Sequence, residues 1–600
     1  MPDSSDAPSE AYTARLELRR AEAAERYRRH VLLGYLRLLI VAALLVLAWF
    51  AFYRHALSGW WVLAPCAAFV VVARIHSRVL AQREQLRRAI RFYELGQARM
   101  DDRWDGLPAR EPRVDASGSL FARDLDLFGR GGLFDLLCTA RTSMGEDTLA
   151  SWLLEPAARD VVLKRQAAVA ELRERFGQFN LSEELASCVG PETAVLDAKT
   201  LSTWGAGKDD AVPEWLRWVA PVLAVLTLAA AVDWALTRSL ALLVLAIVVD
   251  ASLTYRLQKR VEAFFLAAER AAHSLHLVAA LIARLESERF EAPLLQALQG
   301  VFVGGETSAS HALARLATLA ELIDNRRNFI IRVLDAPLLY SVQLAGAVQR
   351  WRKTNGASIE RWLQALGESE ALVSLATYSY EHPRDPFPEL VEGAPCFEAR
   401  ELGHPLIAAA KCVRNDVALA GGTRLLLVSG SNMSGKSTLM RAVGINTVLA
   451  MAGATVRAAS LRLTPAHVGA SIQVNDSLQE GRSRFYAEIL RLRAICALAA
   501  ERPPVLFLLD ELLGGTNSSD RLTGAEGIAR ALMASGAIGI ISTHDLALTE
   551  IGAEGGHSLR NVHFEDHIED GQMRFDFKLR DGAVTTRNGL ALMRMIGLEV

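Results

Sequence analysis

The sequence predicts an α/β domain with a parallel sheet in its C-terminal part, behind a mostly helical region that carries two transmembrane helical hairpins. Three observations predict it. After Pro405, short apolar runs alternate with glycine-containing turns and helical stretches. From Val261 to Tyr380, apolar residues recur at helical spacing. Apolar residues, 51% of a 600-residue chain, concentrate in two pairs of runs well before that point.

The first pair is Leu38 to Phe52 and Trp60 to Ala73, joined through Arg54 and His55. The second is Trp218 to Val232 and Leu240 to Val249, joined through Arg238. Each run is somewhat shorter than the ~20 residues that cross a bilayer comfortably, so a pair of buried soluble helices is the alternative. Flanking charge favours the membrane. Arg15, Arg19, Arg20, Arg26, Arg28 and Arg29 precede the first hairpin, and Arg74, Arg78, Arg83, Arg87, Arg88 and Arg91 follow it. Both ends are therefore expected in the cytoplasm. Arg256, Lys259 and Arg260 give the second hairpin the same sidedness, with Trp215, Trp218 and Trp234 placed for the headgroup level. The polar segment before Val31 has no small-residue cleavage site after its apolar run, and no cleavable signal peptide is expected.

The formal net charge of -2 advertises no polyanionic partner and excludes none. The six cysteines (Cys66, Cys138, Cys188, Cys396, Cys412, Cys496) form no Cys-x-x-Cys pair and have no histidine at zinc-ligand spacing, so they read as reduced, mostly buried thiols. Between the hairpins, Phe121 to about Leu201 has the spacing of packed helices. Pro383, Pro386 and Pro388 end the long helical region, and Gly403-His404-Pro405 is expected to open the next domain.

Within that domain Leu425 to Val428, Val505 to Leu509 and Ile538 to Ile541 read as buried strands, each followed by polar residues. After the first come Gly430, Ser431, Asn432, Met433, Ser434, Gly435, Lys436, Ser437 and Thr438, then a helical stretch from Leu439 to Ala450. This satisfies the phosphate-binding pattern G-x-x-x-x-G-K-S/T in its confirming strand-to-helix context. Glycines let backbone N–H groups wrap phosphates, and the helix N-terminus adds its positive end. Lys436 is expected to reach the β- and γ-phosphates of ATP, and Ser437 to ligate Mg2+. Asp510 and Glu511 end the second strand. Asp510 is expected to hold the magnesium shell and Glu511 to orient or deprotonate the attacking water; alone, such a pair is more often a solvated turn. His544 follows the third strand, where the ligand edge of a parallel sheet lies, and is expected to sense the γ-phosphate or the water; a helix-capping turn is the alternative.

Taken together, the segments Ser431 to Arg441, Asp510 to Asp520 and Ser542-Thr543-His544 resemble the ATPase domain of the MutS mismatch-repair family, the Asn432-Met433 pair being unusually specific. The resemblance implies an ABC-like P-loop NTPase domain that dimerises and completes each nucleotide site with a signature loop from the other subunit. Gly481 to Glu488 resembles that loop, which makes Ser483 the candidate contact in trans. Gly514 to Asp520 looks like the segment that communicates across the dimer. The family also implies an adenine-stacking aromatic shortly before the P-loop strand, where this chain has only Cys412-Val-Arg-Asn415. Leu133 to Gly145, Trp152 to Pro156 and Arg165-Gln166 look like the family's helical core, and Val261 to Glu381 like its lever helices. The expectation is a relative without the mismatch-reading domain, its core interrupted by the second hairpin.

The expected organisation is a cytoplasmic tail (1–30), hairpin one (31–75), a linker helix (76–120), the first part of a helical core (121–214), hairpin two (215–255), levers with the rest of the core (256–394), and the ATPase domain (395–600). The expected protein is a homodimeric ATPase at the inner membrane, facing the cytoplasm. Two clients stay open: double-stranded DNA, favoured by family analogy alone, and a protein or envelope client of a mechanical ATPase.

Overall fold

The computed structural model describes residues 7–104, 113–179, 181–188, 198–272, 275–305, 307–326, 328–431, 434–472, 484–514, 516–544, 548, 558–569 and 572–584. Helices α1 (Ala7–Ala48) and α2 (Leu63–Met100) pack along one another as an antiparallel pair. The boundary expected at residue 30 falls inside α1, and the one at 75 inside α2. The reason is local. The Arg/Glu/Ala-rich stretch before Val31 is a strong helix former, and its Tyr12 and Leu16 are buried against Phe92 and Tyr93 of α2. The expected tail and linker helix are thus the continuous base of the first hairpin.

That base is fastened to the body. Arg99 of α2 forms a buried ion pair with Glu381, to which it donates through Nε at 2.8 Å, and the Tyr12 hydroxyl also donates to Glu381 at 3.3 Å. Arg19 and Tyr93 both donate to Glu183, each at 2.5 Å.

The helical body comprises α3 (Leu133–Leu137), α4 (Ser143–Leu154), α5 (Arg159–Phe179), α6 (Leu181–Cys188), α7 (Ala198–Ala206), α8 (Leu216–Thr237), α9 (Ala241–Ala272), α10 (Leu275–Ser287), α11 (Pro293–Val303), α12 (Ala309–Asn325), α13 (Phe329–Leu338), α14 (Tyr340–Asn355) and α15 (Ile359–Glu381). The nearly fully buried α15 is its centre, packed on α4, α5 and α11. Thr142 caps α4 by accepting from the Gly145 N–H at 3.2 Å and donates its own proton to Glu370 of α15. Among the described residues four helical segments are long and apolar enough to cross a membrane: 8–53, 59–100, 216–237 and 241–269. Leu38, Leu45, Trp60, Val225, Leu236 and Leu245 on them are more than half exposed. The division expected at residue 255 is absent. Helix α9 runs unbroken for 32 residues, roughly 48 Å at 1.5 Å per residue, from the apolar hairpin into the core, where Val261, Phe265 and Ala268 are buried.

The C-terminal region begins earlier than residue 395, since strand β1 (Glu389–Leu390) lies before that residue; β2 (Phe397–Leu402) follows it and precedes the Gly403 turn. With β3 (Asn415–Leu419) and β5 (Ser460–Leu463) they form a four-stranded sheet of order β1-β5-β2-β3. The main sheet has order β10-β9-β4-β8-β7-β6, from β4 (Leu425–Ser429), β6 (His467–Ser471), β7 (Val505–Asp510), β8 (Ile538–Thr543), β9 (Leu559–Glu569) and β10 (Gln572–Asp581). Its five strands from β9 to β6 are parallel, and β10 is an antiparallel edge. The three sequence-expected strands are β4, β7 and β8, buried on both faces as a central parallel sheet requires. Helices α16 (Lys436–Ala452), α17 (Arg484–Leu498) and α18 (Ser518–Ala534) complete the layer. The fully buried Asp124 joins the helical body to this sheet: it pairs with Arg491 at 2.6 Å and accepts from the Ile472 N–H at 2.9 Å.

Candidate functional site

The order of the main sheet places the C-terminal ends of β4, β7 and β8 side by side, so three segments far apart in sequence converge on one edge. From β4 the chain turns through Gly430 and Gly435 into α16. Gly435 has φ +106°, and a Cβ there would lie 3.2 Å from the Phe577 ring, so both backbone and space call for glycine. Lys436 opens the helix with its side chain folded back over the turn, donating to the carbonyls of Gly430 at 2.7 Å and Ser431 at 2.9 Å. Burial pulls its ammonium below the ordinary lysine range, and the nearby Glu511 and Asp510 oppose that shift.

The Ser437 hydroxyl donates to Asp510 Oδ2 at 2.7 Å, joining the start of α16 to the end of β7. The other oxygen, Asp510 Oδ1, accepts from the Ser542 hydroxyl of β8, and Ser542 Oγ in turn accepts from the Glu511 N–H at 3.1 Å. Glu511 and Leu513 take positive φ of 45° and 56°, a strained turn that lifts the acid off the strand line. His544 Nδ1 lies 3.4 Å from Glu511 Oε1. The buried Glu488 of α17 accepts from the Leu513 N–H at 2.7 Å, so the helix after the signature-like loop holds the turn that carries Glu511.

Lys436, Ser437, Asp510, Glu511 and His544 are therefore brought together. Gly430, Ser431, Ser434, Gly435 and Thr438 lie where the motif requires, and Asn432, Met433, Gly481, Ser483 and Gly515 lie outside the described residues. The hydroxyls of Ser431 and Ser434 are buried at the loop without a hydrogen-bond partner among the described residues, as donors meant for a bound acceptor would be. Such donors beside a Ser–Asp pair fit a magnesium nucleotide.

Two features escaped sequence reasoning. Ser542 was legible only as part of a Ser-Thr-His string; its role in bridging Asp510 and Glu511 follows from β7 and β8 being neighbours. The second is an aromatic beside the loop. A cavity of about 220 Å3 beside Gly435 and Thr438 is lined by His404, Cys412, Asn415, Phe564 and Phe577. Phe577 comes from β10, not from the segment before β4. Asn415 holds its backbone, donating to the Phe577 carbonyl at 2.9 Å and accepting from the Leu579 N–H at 2.8 Å. Burial, with Arg441 nearby, lowers His404 to about 4, so its ring is neutral.

A strand-to-helix phosphate loop, an acidic pair on the adjoining strand and a histidine on the next define the class, a P-loop nucleotide-binding domain. The comparisons make it particular. The family model for MutS domain V matches residues 426–599, so this part of the chain is similar to that domain of MutS proteins. It is 35% identical over 188 residues to the DNA mismatch repair protein MutS of Shouchella clausii, which covers 31% of this chain and 21% of that protein. It is 32% identical over 239 residues to DNA mismatch repair protein MutS 2 of Halobacterium salinarum, covering 39% of this chain and 27% of that one. The chain thus spans about a quarter of the length of these relatives.

Proposed function

We propose that the chain is a MutS-like ATPase, converting ATP and water to ADP and phosphate, held at a cell membrane by its two hairpins with domain V on the cytoplasmic side. The observation that carries the enzymatic reading is the Ser437–Asp510 contact at 2.7 Å beside the folded-back Lys436. When bound, magnesium held by Ser437 and by the shell of Asp510 supplies charge neutralisation at the phosphates. The remaining work falls to the chain's own residues. Lys436 exchanges its carbonyl contacts for phosphate oxygens, Glu511 orients a water and takes its proton, and His544 fixes the Glu511 carboxylate. Phe577 offers one ring face to the base. Ser483, by resemblance, completes the partner's site, so the working unit is a homodimer.

The membrane reading rests on four long apolar helical segments with exposed Leu, Val and Trp side chains, a surface larger than soluble proteins tolerate. For the client, the relatives' names favour DNA. Two observations favour the alternative of a mechanical ATPase with a protein or envelope client. The exposed face of the lever region mixes Arg315, Glu321, Asp324, Arg350, Glu360 and Arg361 and shows no stripe of one sign among the described residues. Helix α9, the expected lever, is itself an extension of the second hairpin. Carbonate-washed membranes and an ATPase assay test the core of the proposal. The wild-type chain should stay in the membrane pellet and release phosphate, while Lys436→Ala stays in the pellet without turnover. A chain that washes off, or a Lys436→Ala variant with wild-type turnover, would contradict it.

A further inference from the structure

At the base of the second hairpin, α7, α9 and α14 enclose a cavity of about 750 Å3, remote in sequence from the nucleotide site. Its apolar wall is Trp204 and Phe264, with Ala263 and Ala267 beside them. Gly205 and Gly356 fix that wall: a Cβ on Gly356 would lie 2.2 Å from the Gly205 carbonyl oxygen, so α7 meets the turn before α15 in direct backbone contact and Trp204 cannot drift.

Its polar wall is unusual. Arg352 is buried, with its guanidinium 4.9 Å from the Phe264 ring centre and 5.7 Å from that of Trp204. Among the described residues no carboxylate forms an ion pair with it; its hydrogen bond goes to the Asp209 backbone carbonyl. Among the described residues its Nε has no partner, and neither does the indole Nε1 of the buried Trp204. Burial pulls the guanidinium below its ordinary range, opposed by the charges of Asp209 and Asp210, and Asp210 is itself engaged by Lys353 at 3.0 Å. Arg260, on α9 where the helix leaves its apolar run, also lines the cavity. Three cations (Lys199, Arg260 and Arg352) outnumber the two carboxylates that also line the cavity (Asp209 and Asp210, the latter held by Lys353), and with two orphaned donors and an aromatic floor they call for an acceptor-rich, negatively charged ligand with an apolar part.

We propose that this cavity binds a phosphate-bearing anionic ligand, the headgroup of a membrane phospholipid being the source its position favours. The phosphate oxygens accept from Arg260, Arg352 and Trp204, and the glycerol backbone lies against Trp204 and Phe264. The lipid source rests on the membrane reading above; the phosphate chemistry does not. Because α9 is both hairpin and core helix, occupancy fixes the angle at which the hairpin enters the body.

The test is native mass spectrometry of the full chain from micelles doped with phosphatidylglycerol or phosphatidylcholine, beside calorimetry with inorganic phosphate and glycerol 3-phosphate. Arg260→Gln and Trp204→Phe remove one donor each and keep the packing; Arg350→Gln, exposed on α14, is the control. The expected result is retained phosphatidylglycerol, lost tenfold or more in Arg260→Gln and Trp204→Phe and unchanged in Arg350→Gln. Binding of the soluble phosphates alone, with the same dependence on the variants, sustains the site and assigns it a soluble ligand. Binding of neither class, or binding equal in all variants, overturns the proposal and leaves a water-filled cleft. Loss of the chain from carbonate-washed membranes would instead sink the membrane reading, while the phosphate arm of this test still stands or falls by itself.

Discussion

Replacing Phe577 with alanine should weaken ATP binding while leaving the phosphate cradle intact. The residue lies on β10, 40% exposed, with its ring against Gly435 and the cavity beside Thr438. Stacking of a base on an aromatic ring is worth about 1–3 kcal/mol by alanine truncation. One ring face is available and the other side is partly in solvent, so the lower part of that range applies, about 1–2 kcal/mol, a 5- to 30-fold rise in Kd. The backbone should not collapse, because Asn415 holds it on both sides independently of the ring. Lys436, Asp510 and Glu511 are untouched, so turnover at saturating ATP should stay within about twofold of wild type. Equilibrium titration with a ribose-labelled fluorescent ATP and magnesium reads the effect, with Phe577→Tyr as the variant that keeps the stack. Affinity unchanged within twofold in Phe577→Ala would refute the placement of the base in this cavity.

Other consequences follow from the same geometry. His544→Ala should lower turnover roughly 10- to 100-fold with ATP affinity preserved, because the histidine positions Glu511 and does not hold phosphate; steady-state kinetics beside binding separates the two. Burial raises Glu370 to about 7, against the lowering effects of Thr142 and the Arg141 N–H. The folded state therefore keeps a proton that the unfolded chain gives up near 4.5, and stability falls as pH rises between those values, by about 3 kcal/mol. Thermal unfolding from pH 4.5 to 7.5 should show that slope flattened in Glu370→Gln, and equal slopes would contradict the assignment. Arg99→Leu leaves Glu381 buried without its ion-pair partner and should cost about 3–5 kcal/mol, measured as a fall in the unfolding midpoint; a change below 1 kcal/mol would deny the first hairpin its anchoring role. A DNA client predicts affinity falling steeply with salt, one phosphate contact after another; a flat salt series in filter binding favours the protein or envelope client.

The candidate site was legible as a cluster because its motifs are local. Residues 430 to 438 match a phosphate-loop pattern by spacing, and Asp510, Glu511 and His544 follow short apolar runs that read as buried strands. What escaped depends on neighbours that sequence does not reveal. Ser542 matters because β8 lies beside β7, and Phe577 because an edge strand folds back over the loop from far along the chain. The helical half shows the same division. Apolar runs marked both hairpins, but the ends of their helices were set by tertiary contacts. Tyr12 and Leu16 extend α1 through the expected tail by packing on Phe92 and Tyr93, and the buried Val261 and Phe265 carry α9 past the residue where its apolar run stops. Strand β2 was missed because its half-exposed Phe-Glu-Ala-Arg-Glu-Leu stretch alternates weakly and is sandwiched between β3 and the distant β5.

Single-turnover phosphate release by Glu511→Gln, measured on the membrane-reconstituted chain with magnesium and labelled ATP, tests the central claim most directly. The account predicts bound ATP that persists uncleaved on the variant, with phosphate release slowed 100-fold or more, on the order of what a general base contributes. Release at the wild-type rate would show that the acid at the end of β7 does not hold the attacking water.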